Sequence, residues 1–125
     1  MENHRIFDSE LEKLTQKVIQ MCAQVNLQVN DALTALKNYD LKLARKVIKD
    51  DHVIDTLDVK IDKLCQKIFA LQQPVARDLR YILSALKINN DLERVGDHAV
   101  NIVKRIEPLE DYRQLVSDLG VDKVA

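Results

Sequence analysis

Asp51 and Asp55 are carboxylates four residues apart, and so are Glu93 and Asp97. On a helix that spacing puts both acids of a pair on one face, one turn apart. If the helices carrying the two pairs lie side by side, four carboxylates converge. Unscreened charges at that distance repel strongly, so protons, basic side chains or a cation must compensate them. An all-oxygen donor set suits a hard cation such as Mg²⁺, Ca²⁺, Mn²⁺ or iron, rather than a metal that prefers thiolate. A solvated acidic stripe would use the same residues, since 31% of the chain is charged.

The apolar pattern supplies the elements that position these acids. From about Phe7 to Lys37, apolar residues recur in steps of three and four: Leu11, Leu14, Val18, Met21, Val25, Val29, Ala32 with Leu33, and Leu36. That stripe predicts one long helix, capped by Asp8 or Ser9 with Glu12 completing a capping box. Asn38-Tyr39-Asp40 breaks it, and Asp40 suits the N-cap of the next. The second helix spans Leu41 to about Leu71 through Leu41, Ala44, Ile48, Ile54, Leu57, Ile61, Leu64, Ile68 and Leu71. Lys49-Asp50-Asp51-His52 predicts a kink or a fresh start within it. Gln72-Gln73-Pro74 ends it, and Pro74 suits the first position of a third helix, which runs to Glu107-Pro108.

Each helix is about 45 Å long at the standard rise, and short connections make neighbours antiparallel. The expected fold is therefore all-α: an up-down-up three-helix bundle over 1–108, with 109–125 a linker or short helix. Measured from the turn between helices two and three, Asp55 lies level with Glu93 and Asp51 with Asp97, within about one turn. Asp58 and Asp62 continue the helix-two stripe, and Asn90 and Asn101 flank the helix-three pair, as candidate additional ligands or supporting groups. The apolar seam of helix three fails at the same height, where inward steps fall on Asn89 or Asn90, Glu93, and Gly96 or Asp97. Gly96 costs a helix interior about 1 kcal/mol relative to alanine, which suggests a close approach there. Such violations of local rules concentrate at functional sites.

Composition narrows the function. Nineteen basic and twenty acidic side chains give a net charge of -1, without the basic footprint of a nucleic-acid binder. The charged N-terminus is not a signal peptide, and no apolar run approaches the roughly 20 residues of a membrane span. A cytoplasmic protein is expected, with Cys22 and Cys65 as small buried thiols on helix seams. His98 and His52 adjoin site acids and His4 lies near the terminus; His98 should point away from the cluster. Lys67, Arg77 and Arg80 gather near the second turn, where they form either a weak anion or partner site or a solvated charged end. Asp78 complements the third helix's dipole. No nucleophile–histidine pair or Gly-rich phosphate loop is present. The Glu-x-x-His motif of di-iron oxidases is also missing: Lys49 and Val95 stand three residues before His52 and His98.

The segments DDHVIDTLDVKID, QPVARDLR and DLERVGDHA, with MCAQVNLQVNDALTAL upstream, resemble the PhoU family of phosphate-signalling regulators over about residues 8 to 107. The resemblance implies three-helix bundles that bind metal clusters through E/D-x-x-x-D pairs, here Asp51/Asp55 and Glu93/Asp97. Iron is the first expectation, with manganese, magnesium or zinc as other occupants. It further implies a regulator rather than an enzyme, a negative regulator that links a phosphate ABC transporter ATPase to a sensor histidine kinase, peripheral to the inner membrane through its partners. PhoU proteins normally hold two such repeats and this chain holds one, so a homodimer or higher oligomer is expected, or a piece of a two-repeat protein. Single PhoU-like domains also accompany sodium/phosphate cotransporters and phosphate permeases. Other classes are a purely structural bundle and a MazG-type phosphohydrolase. The latter is disfavoured because the chain's ExxE, Glu107 to Glu110, contains Pro108.

Overall fold

The computed structural model describes residues 2–106, together with 108, 115, 118 and 119. Three helices follow in order: α1 (Glu2–Asn38), α2 (Leu41–Gln72) and α3 (Ala76–Val103). Each packs on the other two, and among the described residues there is no strand. The all-α three-helix bundle expected from periodicity is what forms. The C-terminal linker or short helix expected over 109–125 lies, apart from 115, 118 and 119, outside the described residues.

The first turn is built by backbone geometry rather than glycine. Tyr39 adopts φ 52, while Asp40 N–H donates to Ala35 O at 2.9 Å and Tyr39 N–H to Leu36 O at 3.5 Å. These are the paired bonds of a Schellman motif, which satisfy carbonyls left open at a helix end. Asp40 then caps α2, its side chain accepting from Leu43 N–H at 3.0 Å. At the second turn Gln73 takes φ 42 and closes α2, as the residue before a proline is disfavoured in α geometry.

Several expectations are corrected. α1 begins at Glu2, so Asp8 and Ser9 lie inside it rather than at its N-cap. Pro74 precedes α3 instead of opening it, because Val75, extended at ψ 166, is the N-cap. α2 runs unbroken through Lys49–His52. Its continuity moves the buried seam from Ile48, which is 39% exposed, to Val47. Cys22 is exposed, not buried, since Met21 takes the inward position beside it; Cys65 is buried as expected.

Two apolar clusters hold the bundle together. One contains Phe7, Leu14, Met21 and Val25 of α1, Ile54, Leu57, Ile61, Cys65 and Ile68 of α2, and Ile82 and Ala85 of α3. The other, built from smaller residues, joins Ala32, Ala35, Ala44, Val47, Ala99, Val100, Val103 and Ile106. A fully buried Leu or Ile side chain contributes about 1.5–3 kcal/mol, so the first cluster carries most of the packing energy. No described helix is long and apolar enough to cross a membrane.

Candidate functional site

The seams of all three helices turn polar between those clusters. On α1, Gln28 lies between Val25 and Ala32 and is 4% exposed. On α2, Asp51 lies between Val47 and Ile54 and is partly buried, as is Asp58 two turns further on. On α3, Asn89 is 2% exposed and Gly96 is buried, with Glu93 partly buried between them.

Two buried carboxamides back the acids. Gln28 Nε2 donates to Asp51 Oδ1 at 3.2 Å and reaches Val47 O at 3.4 Å. Asn89 Nδ2 donates to Asp58 Oδ1 at 2.6 Å and reaches the Asp58 carbonyl at 3.4 Å. Gln28 Oε1 and Asn89 Oδ1 are buried with no hydrogen-bond partner. An unmatched buried acceptor costs about 1–3 kcal/mol. The amides keep this orientation because the reverse would press an oxygen against a carboxylate. Gly96 leaves room for Gln28: a Cβ there would meet Ile54 Cδ1 at 3.1 Å and Gln28 Oε1 at 3.4 Å.

Burial pushes the Glu93 carboxyl up to about 7, assisted by a hydrogen bond with Asp97 and by the charges of Asp97, Asp58 and Asp55. The protonated form is thereby favoured relative to an exposed glutamate. Asp55 is raised as well, first by desolvation and then by Asp51, Asp97 and Asp58, with the charge of His52 opposing the rise. Asp51, Asp55, Asp58, Glu93 and Asp97 thus share one field across α2 and α3. Asp50, next in sequence, is drawn off to Lys46 at 3.2 Å, and Lys46 also lies 3.5 Å from Asp31. As they stand, no three His, Cys, Asp or Glu side chains among the described residues are gathered closely enough to enclose a metal ion.

Of the other residues singled out, Asp62, Asn90 and Asn101 are exposed. The charge of Asp62 acts on Cys65 one turn away. Lys67 lies 3.6 Å from the largely buried Glu10, which also pairs with Lys13 at 3.5 Å, so its ammonium is matched from within the bundle. Arg77 and Arg80 are exposed, and so is His98, which lines an apolar groove with Val29, Leu33, Val95 and Ile102. Gln28 was missed by following the α1 apolar stripe onto Val29. Its signal was the strict sevenfold series Leu14, Met21, Gln28, Ala35.

The chain aligns with known proteins over most of its length. The PhoU domain model matches residues 18–106. A phosphate-specific transport system accessory protein PhoU homolog of Clostridium acetobutylicum is 39% identical over 118 residues, covering 92% of this chain and 54% of the relative. The phosphate-specific transport system accessory protein PhoU of Escherichia coli is 40% identical over 108 residues, covering 86% and 44%. The crystal structure of PhoU from Pseudomonas aeruginosa superposes with a TM-score of 0.80 at 41% identity, covering 82% of this chain and 49% of that one. The chain spans about half the length of the curated relatives it matches. With most of its helical bundle matched by the family model and by a solved member, this chain belongs to the PhoU family.

Proposed function

We propose that the chain is a regulatory, non-catalytic domain of phosphate uptake, a helical adaptor whose acid cluster binds a hard metal ion or a small metal cluster. The relatives quoted above are named as accessory proteins of a phosphate-specific transport system, which supports the physiological setting. The observation that carries the metal site is the shared field of five carboxylates at the polar break in the bundle. The donor set is all oxygen and suits iron, manganese or magnesium better than a thiophilic metal. Asp51, Asp55, Glu93 and Asp97 would hold the metal, with Asp58 as a further ligand. When bound, it supplies the positive charge that the acids lack. Its charge would favour the ionised form of Glu93, and ligands from both helices would tie α2 to α3 along one face.

The adaptor acts on the cytoplasmic side of the membrane, its partners being the ATPase of a phosphate transporter and a sensor kinase. It dampens phosphate-starvation signalling when phosphate is plentiful. Self-association is part of the proposal, supported by the exposed apolar series Tyr81, Ile88, Val95 and Ile102, which recurs every seven residues along α3.

Capture of the transporter ATPase by the immobilised full chain tests the adaptor role. Capture should strengthen with Mn²⁺ or Fe²⁺, and should weaken with chelator or with Asp51→Ala combined with Asp97→Ala. Capture indifferent to both treatments would contradict a metal-dependent adaptor.

A further inference from the structure

We infer that the α1–α2 end of the bundle is a docking surface for an anionic phospholipid membrane, held through basic side chains on the first turns of α2. The contact is with lipid itself, so it goes beyond an adaptor that reaches the membrane through a transporter or kinase. It needs no metal.

Charge is segregated along the bundle. The second apolar cluster gathers the end of α1, the start of α2 and the end of α3. Residues 31–50 and 98–106 surround it and carry seven cations and three acids, a net +4 in a chain whose total is -1. Lys42, Arg45, Lys46 and Lys49 are exposed on the outer face of α2, with Ala44 and Val47 buried opposite. Lys37, Lys104 and Arg105 are exposed at the same end. Asp40 is taken up as the cap of α2, and Asp31 and Asp50 both pair with Lys46. Lys42, Arg45 and Lys49 make no ion pair among the described residues.

Helix electrostatics account for only part of this. Lys37, Lys104 and Arg105 suit the C-terminal ends of α1 and α3, where a helix favours cations. The four on α2 stand at the opposite pole, where a helix favours anions, and its first turn holds no acid. Their placement opposes the local preference and calls for an external anion.

A lipid surface fits better than a single phosphate or a protein. None of these cations is buried, so no pocket is built around one anion. Five of the seven are lysines, whose flexible stems suit a diffuse, mobile anionic surface, whereas arginine suits a fixed bidentate partner. The exposed apolar series that a protein partner would cover runs elsewhere, along α3 through Tyr81, Ile88 and Val95. Clusters of about four to eight basic side chains bind anionic bilayers, gaining about fivefold in affinity per cation near the surface. The carboxylates at the polar break come next along the bundle. A surface that attracts this end therefore repels the middle, which orients the bundle end-on.

The test is sedimentation of the full chain, in chelator, with vesicles of phosphatidylcholine alone or mixed with phosphatidylglycerol. Wild type should bind the mixed vesicles, ignore phosphatidylcholine alone, and release as salt rises. Lys42→Gln, Arg45→Gln and Lys49→Gln combined should weaken binding about a hundredfold. Lys60→Gln, Lys63→Gln and Lys87→Gln combined removes the same charge from exposed positions away from this end. That variant should stay within about threefold of wild type, because the attraction fades beyond a Debye length. Equal loss in the two variants would reduce the effect to overall charge and overturn the inference, as would wild type indifferent to phosphatidylglycerol. Loss of transporter ATPase capture in the α2 variant, with no vesicle binding by wild type, would assign this end to an acidic protein surface and overturn the lipid reading.

Discussion

Replacing Glu93 by Gln should stabilise the metal-free protein at alkaline pH and leave it unchanged in acid. The carboxyl titrates near 4.5 in an unfolded chain and near 7 in the bundle. Below pH 4.5 it is protonated in both states and adds no pH-dependent cost. Between 4.5 and 7 the unfolded chain releases the proton while the folded one retains it, so stability falls as pH rises. Above 7 the full cost is present. Each pH unit of difference corresponds to about 1.4 kcal/mol, which sets an upper limit of roughly 3 kcal/mol. Partial exposure and salt screening reduce this to about 1–2 kcal/mol. Glutamine keeps the size and polarity and removes the charge. Urea unfolding of chelator-treated wild type and Glu93→Gln at pH 5 and pH 8 should therefore show a variant advantage of about 1–2 kcal/mol at pH 8 that nearly vanishes at pH 5. Added Mn²⁺ should narrow or reverse the order at pH 8, because the wild type, with its full set of acids, gains more from ligand binding. A variant that is equal or weaker at pH 8 without metal, or an advantage independent of pH, would refute the shared field of the acids.

Gly96→Leu should destabilise the bundle by about 1–3 kcal/mol, as expected for overpacking against Ile54 and Gln28. Gly96→Ala should be nearly neutral, its helix-propensity gain of about 1 kcal/mol offsetting the tight contact; denaturant midpoints separate the two. The cysteines should react unequally with a maleimide in the native state. Exposed Cys22 labels promptly, whereas Cys65, buried and with its thiol pushed up to about 11, labels only on unfolding. Mass spectrometry after timed quenching distinguishes them.

The long helices and their order were legible because steps of three and four persist over about thirty residues, and Asp40 is an unambiguous cap. The height match between the acid pairs was legible for the same reason: bundle geometry converts distance from a turn into height. Helix ends were less so. Nothing local distinguishes a cap at Ser9 from a helix that simply starts earlier, and Lys49–His52 reads as a break only until packing on both neighbours carries α2 through it. The assignment of Val47 over Ile48 to the core depended on that continuity, since one residue shifts a side chain by about 100°. Gln28 was hidden by its chemistry, because a stripe traced through apolar residues steps around a polar one. Yet Ile82, Asn89, Gly96 and Val103 are also spaced by seven, and all are buried. Following the sevens rather than the apolar residues brings out both carboxamides.

Metal content is the most direct test of the central claim. Tag-free wild type and the variant combining Asp51→Asn, Asp55→Asn, Glu93→Gln and Asp97→Asn would be incubated with iron, manganese or magnesium, desalted, and analysed by elemental mass spectrometry. Retention of one of these metals by wild type, together with its loss from the variant, is the predicted result. Equal, negligible metal in both preparations would contradict it and reduce the five carboxylates to a repelling acidic stripe on a helical adaptor.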